Sequence, residues 1–416
     1  MPRRPRQKPD MQRPALILSL LLPAAMTATA APQPLKVTVH AGAFDRHGTV
    51  VSAMVPENAK VQGARLGGKF VPVQTDDRNR MWWVVADLKK GQSETYELLP
   101  EISVVAPVVF TRKEGNKLQL RSAALRKTLM EYQADAGEFP RQNIQAAFQR
   151  GGYLHPILTP SGKQVTDDFP TNHIHHHGVW WAWTHTKFQG REPDFWNMGD
   201  NKGRVEFDGV DATWSGPVHG GFRSHLRQVD LLADKPVTAL NETWEVRAYA
   251  PPAGVQSYWV FDVTVEDRCA TGDALELPEY RYGGIGLRGN GAWNGKDKVN
   301  FLTSDGETDR LKGNAARGRW CDMWGEVDGA KAGIAILGHP SNFRAPQPMR
   351  LHPTEPFFNF APQQAGDMAI KPGETFTARY RFVVHDGPPD RAELDRLWND
   401  YANPPEVRVA SERLGK

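Results

Sequence analysis

Two cysteines in 416 residues cannot build a disulfide framework, and they are too few to hold a metal by thiolates alone. Cys269 and Cys321 fit one disulfide or two buried thiols, and their spacing does not choose. Long apolar runs are missing as well. Residues 15–22 form an apolar stretch shorter than the ~20 residues a spanning helix needs. No later stretch reaches that length, so no membrane insertion is expected. The chain also lacks a dominant charge. Its net charge is +3, but residues 1–30 hold five bases and one acid, a net of +4, which leaves −1 for the rest. No basic run remains to track phosphates, so nucleic acid is not an expected partner. No internal repeat of fixed period is visible.

What is present begins with an export signal. Arg3, Arg4, Arg6, Lys8 and Arg13 precede the apolar stretch, and Ala28-Thr29-Ala30 gives the small-x-small pattern of a cleavage site. A start at Met11 gives a more ordinary signal peptide than a start at Met1, and no cysteine follows the site to accept a lipid. Residues 1–30 are therefore expected to be removed, leaving a periplasmic or secreted protein. The chain also holds 13 tryptophans. An indole buried as filler needs a partner for its N–H, whereas an exposed one suits the flat faces of sugars.

The remainder reads as strands. Residues 35–40, 50–55, 70–74, 81–86 and 96–99 follow one another at hairpin spacing and end before Pro100 and Pro107. They define a small N-terminal β-subdomain over 31–105. Longer strands follow at 117–121, 127–132, 203–207, 225–232, 241–248, 257–265, 283–288, 333–337 and 375–384. Such lengths with turns between them predict a mostly β fold, a large antiparallel β-sandwich over 106–388. One short C-terminal helix is expected over 390–401. It has Pro389 near its start, acids in its first turn, and Leu394, Leu397, Trp398 and Tyr401 at three-to-four spacing. Residues 389–416 thus form a helix and a tail.

Chemistry concentrates at 167–183. His173, His175, His176 and His177 fall within five residues, and Trp180, Trp181 and Trp183 follow within six. A Pro-led loop feeding a strand fits this composition. If the strand already runs through the histidines, its period of two puts His173, His175 and His177 on one face and Ile174 and His176 on the other. Imidazoles so grouped can move protons near neutral pH, bind zinc or copper, or hydrogen-bond a polar ligand. For any one of them, satisfaction by backbone carbonyls is the plain alternative. Asp194-Phe195-Trp196 closes a following loop. Tyr282-Gly283-Gly284-Ile285-Gly286-Leu287-Arg288 admits close approach of a ligand or is a tight sheet crossing, and it lacks the helix of a phosphate-binding loop. Gly338-His339-Pro340-Ser341-Asn342 and Phe357-Phe358-Asn359-Phe360 each set a polar group among aromatic or Pro-rich neighbours.

These segments, in this order, resemble a bacterial secreted family of unknown function (DUF6807-like) whose members often carry the label "methane oxygenase PmoA". The matching positions are His155-Pro156, Thr159-Pro160, Gly162, Val165-Thr166, His173, His175-His176, Gly178, Trp180, Asp194-Phe195-Trp196, Tyr282-Gly283-Gly284, Gly286-Leu287-Arg288, His339-Pro340-Ser341-Asn342 and Asn359, within residues 115–386. Where the family has Asp, Pro and Arg, this chain has Asn172, Ile174 and His177, and Gly338 replaces an Asp. The oxygenase label does not fit, because that enzyme's subunit is a membrane protein and this sequence offers no spanning helix. The resemblance implies instead a secreted β-sandwich related in outline to galactose-mutarotase-like domains (supersandwich-like), found among polysaccharide-degradation genes.

The expected function is an exported carbohydrate-active enzyme of glycoside hydrolase, lyase or epimerase type, with a glycan as partner and no cofactor or metal. His173, His175 and His176 are expected to transfer protons, His176 foremost, and His177 less because it stands where the family has Arg. A two-carboxylate hydrolase needs an acid pair. Asp194 and Glu279 are the leading candidates, with Glu242 and Asp322 also available. Trp180, Trp181, Trp183 and Trp196 are expected to stack on sugar rings. Arg288, His339, Asn342 and Asn359 are expected to anchor hydroxyls or a carboxylate. Two alternatives stay open. One is a zinc or copper site from His173, His175 and His177, or from His176 with His339; the other is a non-catalytic sugar-binding protein. The sequence does not set the oligomeric state.

Overall fold

The computed structural model describes residues 1–2, 35–57, 59–100, 105–252 and 254–410, so the expected leader falls outside the described residues. Contacts separate Met1–Pro34 from Leu35–Lys416, and only the second unit is described below. Two eight-stranded antiparallel sheets form its main sandwich. The first runs from edge to edge as Met349–Leu351, Phe357–Phe360, Gly284–Arg288, Val179–Ala182, Tyr153–Ile157, Lys127–Gln133, Lys117–Ser122 and Val109–Glu114. The second runs as Gly203–Trp214, His219–Asp230, Val237–Tyr249, Tyr258–Cys269, Phe376–Asp386, Ala330–Gly338, Trp320–Val327 and Val299–Thr303.

The period of two decides which side chains meet between the sheets. Trp259, Phe261, Val263 and Val265 enter the core from one strand, and Trp244 and Val246 from its neighbour. Against them lies Val179–Ala182, buried on both faces. Each fully buried side chain of this size contributes about 1.5–3 kcal/mol relative to exposure, so this core holds the sheets together. On the outer face of the second sheet, Tyr258, Leu337 and Val383 receive Leu394 and Leu397 of the helix Arg391–Ala402. Asp390 caps that helix by accepting from the Glu393 N–H at 3.1 Å.

A smaller sandwich packs Val37, Val39, Trp83, Val85 and Tyr96 into its own core. Its five-stranded sheet is ordered Glu406–Val409, Lys36–His40, Ser93–Leu99, Gly63–Leu66 and Lys69–Pro72. Its second sheet holds Arg46–Met54, Arg80–Leu88 and Gln74–Thr75. The residues after the helix, read above as a tail, therefore return to the start of the fold: Val37 faces Val409 and His40 faces Glu406. Cys269 and Cys321 are both free. Among the described residues no helix is long and apolar enough to cross a membrane.

Candidate active site

Three of the motif segments become neighbours in the first large sheet. Val179 pairs with Leu287 and Trp180 with Gly286, while Arg288 pairs on its other side with Phe357. The loop before Val179 therefore lies at the end of the strand that carries Arg288. Gly178 is needed for that approach, because a Cβ there would run into the Leu154 carbonyl oxygen. The loop is pinned at both ends. The Asp167 N–H donates to the Arg288 carbonyl at 3.1 Å, the Arg288 N–H to that of Gly178 at 2.8 Å, and the Phe169 N–H to that of His176 at 3.1 Å. Asp168 clamps it from within: Oδ1 lies 2.7 Å from His177 Nδ1, and Oδ2 accepts from the Tyr153 hydroxyl at 2.9 Å.

The histidines sit in turns, not in a strand. The His173 N–H donates to the Pro170 carbonyl at 3.1 Å and the His176 N–H to that of His173 at 2.9 Å. These bonds occupy backbone groups that a strand would offer to its ladder, so the expected alternation of faces does not arise. His176 lies stacked between His173 and Phe357, with both centroid distances 4.8 Å. It is 4% exposed and His177 is fully buried, while His173 and His175 are half-buried. His176, expected above to lead proton transfer, is thus a packing element of the loop. His352 adds a ring 5.5 Å from His173; its Nδ1 accepts from the Glu355 N–H at 3.1 Å. Burial, then nearby His173, His177 and Arg288, pushes His175 down to about 3. Burial, then Arg350 and His173, pushes His352 down to about 4. Burial likewise lowers His173, His176 and His177, so the whole group is uncharged at neutral pH.

Beside these rings Arg288 has no exposed surface. Its Nη2 donates to Asn294 Oδ1 at 2.5 Å and lies 3.3 Å from both Asn172 Oδ1 and Glu355 Oε2. Among the described residues its Nε and Nη1 have no partner, and neither do His173 Nδ1, His176 Nδ1, His177 Nε2 and Trp180 Nε1. A buried polar atom left unsatisfied costs about 1–3 kcal/mol. Six such atoms therefore gather around Arg288 and the His loop, while others lie elsewhere in the core, Asp267 Oδ1 and Asp322 Oδ2 among them. Two carboxyls flank the guanidinium with opposite tendencies. Burial raises Asp167. At Glu355, burial is outweighed by the Asn172 hydrogen bond and the Arg288 charge, and the carboxyl is held below its usual range.

The other expected site residues are enclosed in the core or lie elsewhere. Trp180 has no exposed surface and Trp196 is 1% exposed. They pack on each other and on Phe357. Trp181 and Trp183 donate to Asp267 Oδ2 at 2.9 and 2.8 Å. None of the four presents a face to a sugar. Asp194 accepts from the N–H groups of Trp196 and Asn197, both at 2.9 Å, and so closes its own loop. Glu279 is exposed and meets Asp367 through its backbone. Asn342 bonds the Arg379 backbone in both directions at 2.8 Å, and Asn359 bonds those of Gly283 and Ile285. His339 bonds Ser341 and meets the Tyr401 ring at 4.9 Å. Glu242 is buried in the core, and Asp322 pairs with His385 at 2.9 Å. Of the expected set, His173, His175, His176, His177 and Arg288 come together, with Trp180 buried against His176 at 5.2 Å between ring centres. Asp167 and Asn172, from the stretch already singled out, join them, as do Asn294, His352 and Glu355, which stand as single polar residues without a local motif. Among the described residues no group of three or more His, Cys, Asp or Glu is placed to hold a metal ion; His173 and His176 stack, and His175 and His352 meet them edge to face.

No curated protein matches the chain. Among solved structures it is similar to a protein in the glycosyl hydrolase family 38 from Enterococcus faecalis, at 9% identity and a TM-score of 0.42, over 93% of this chain and 48% of that one. The chain thus spans about half of that protein's length. Residues 120–399 match the model of a family of unknown function (DUF6807). That match takes in the His loop, the Arg288 strand and Glu355, and the chain belongs to this family.

Proposed function

We propose that the protein is an exported carbohydrate-active enzyme whose proton-transfer groups are the imidazoles beside Arg288. One observation carries this reading: half-buried, uncharged His173, His175 and His352 gather around a buried guanidinium with two donors unpaired. Sugar hydroxyl and carboxylate oxygens are acceptors that match such donors. Neutral imidazoles in turn accept protons, which is what β-elimination or epimerisation next to a carboxylate requires. Burial keeps their proton affinity low. A bound carboxylate raises it by opposite charge, so the base reaches its working range as the substrate arrives. The substrate class is therefore a glycan bearing uronic acid. In elimination, an imidazole takes the proton from the carbon next to the carboxylate, the electron pair forms the new double bond as the bond to the glycosidic oxygen breaks, and the leaving oxygen takes the proton back from the imidazolium. The test is incubation of the mature protein with polygalacturonate, alginate and glucuronoxylan, following the ultraviolet absorbance of unsaturated uronate ends. No unsaturated and no new reducing ends on any glycan, acidic or neutral, would sink the reading.

A second reading is favoured by the divergence of Asp167 and Glu355 around one guanidinium. Two carboxyls driven apart in this way suit hydrolysis, with Asp167 as acid and Glu355 as base or nucleophile. Saturated products whose release is lost in Asp167→Asn would select hydrolysis over elimination.

A further inference from the structure

We propose a second saccharide-binding site in the cleft between the small sandwich and the outer face of the second large sheet. It rests on the carbohydrate reading but shares no residue with the His loop. The cavity measures about 1140 Å³. That exceeds the ~300–1,000 Å³ of ordinary small-molecule pockets, so it suits several linked rings better than one.

Its floor is fixed in advance. Asp262 and Arg381 face each other on neighbouring strands and form a two-pronged pair at 2.8 and 3.0 Å. The Tyr249 hydroxyl donates to the same carboxylate at 2.7 Å. The guanidinium lies 5.5 Å from the Tyr249 ring centre and 4.6 Å from that of Tyr401. Arg381 Nη1 and the Tyr401 hydroxyl bond no group among the described residues. The opposite wall, from the small sandwich, carries Trp82 and Arg80, whose Nη1 donates to Ser52 Oγ at 3.2 Å.

Charge decides the ligand class. Asp262 is paired with Arg381, and Asp400 with Arg46 and Arg396. Of the lining charges, that leaves Arg80 and Glu57, one of each sign. A phosphate polymer needs several free cations, and a lipid chain needs a wall without buried ion pairs. A neutral polyhydroxylated chain meets what is there: donors held in place, Arg80 and Arg381 among them, and the part of the half-buried Trp82 that Arg247 leaves uncovered. Two strand edges, Arg46–Met54 and Glu406–Val409, also border the cleft, so a peptide adding as a strand is the competing occupant.

Native gels cast with xyloglucan, galactomannan or arabinoxylan test the site. The mature protein is expected to migrate late in at least one of them. Ser52→Trp, which fills the cleft from a half-exposed position, should abolish the delay, and Arg80→Ala should weaken apparent affinity about tenfold. His175→Ala should leave the delay unchanged. The proposal falls if no neutral polysaccharide delays the protein, or if the delay survives Ser52→Trp in a variant with unaltered melting temperature. It also falls if only His175→Ala removes the delay, or if an immobilised peptide library, and no glycan, binds in a Ser52-dependent way. Turnover of uronate oligosaccharides by the wild-type protein is measured alongside. Delay without turnover keeps the cleft and removes the proposed enzyme; turnover without delay does the reverse.

Discussion

Between the two large sheets, Glu242 and Asp267 face each other across neighbouring strands, with 1% and 0% of their surface exposed. Glu242 accepts from the Trp244 indole at 2.6 Å and from Gln228 at 2.8 Å, while one Asp267 oxygen takes both Trp181 and Trp183. Burial raises both carboxyls, and the facing Asp267 raises Glu242 further. At the His loop the balance is reversed. His173 and His175 reach solvent on one side, and donors and acceptors around them are left over. Both regions perturb titratable groups, yet only one leaves them room to react. Unpartnered polar atoms occur in both regions, Asp267 Oδ1 among them, so partial exposure, not the missing partner, separates the imidazoles from the enclosed carboxyls.

The contrast can be broken from either side. His175→Ala should lower turnover about 10²–10⁴-fold with little change in melting temperature, because its side chain makes no hydrogen bond among the described residues. Initial rates on uronate glycans together with thermal melts check this, and a joint loss of fold and rate would make the loop architecture too. Asp267→Ala should do the opposite. It strands two indole N–H groups at about 1–3 kcal/mol each, and urea denaturation should show a loss of about 2–5 kcal/mol while the rate per folded molecule holds. Arg288→Met should cost about 1.5–3 kcal/mol of substrate binding, read as a rise in KM of about 10–100-fold larger than any fall in kcat.

The core pair also sets a pH trend. Both carboxyls have folded pKa values above their unfolded ones, so the folded state binds more protons. Their contribution is complete below the unfolded carboxylate range of about 4 and is lost as pH rises through the raised values. Below the ordinary imidazole value of about 6.5 the lowered histidines act in the opposite sense, so the melting temperature should decline only from neutral to mildly alkaline pH, and Glu242→Gln should flatten that decline; superimposable curves would remove the claim. The smallest effect belongs to exposed Glu279. Glu279→Gln should shift stability by less than about 0.5 kcal/mol and leave the rate alone, and a large rate loss would relocate the site.

Local pattern was enough for much of the fold. Alternation located the long strands, and Asp390 with its three-to-four apolar spacing located the helix observed at Arg391–Ala402, because capping and periodicity are written in adjacent residues. The density of imidazole at 173–177 singled out the loop that the structure pins beside the Arg288 strand. Its internal order was not legible. Which rings stay half-exposed depends on Phe357, which arrives from a strand paired to the Arg288 strand.

The tryptophans show the limit most clearly. Trp180 to Trp183 carry the same composition whether they face sugar or core. Their position between Tyr153–Ile157 and Gly284–Arg288, under the second sheet, decides for the core. Glu355 and His352 announce nothing in sequence, and Glu406–Val409 becomes a strand only because Lys36–His40 waits for it. Residue chemistry and local geometry are determined by near neighbours along the chain. Which polar group meets which is decided only when distant strands pair and their apolar faces close, because that burial supplies the free energy to hold the unsatisfied atoms beside Arg288 in place.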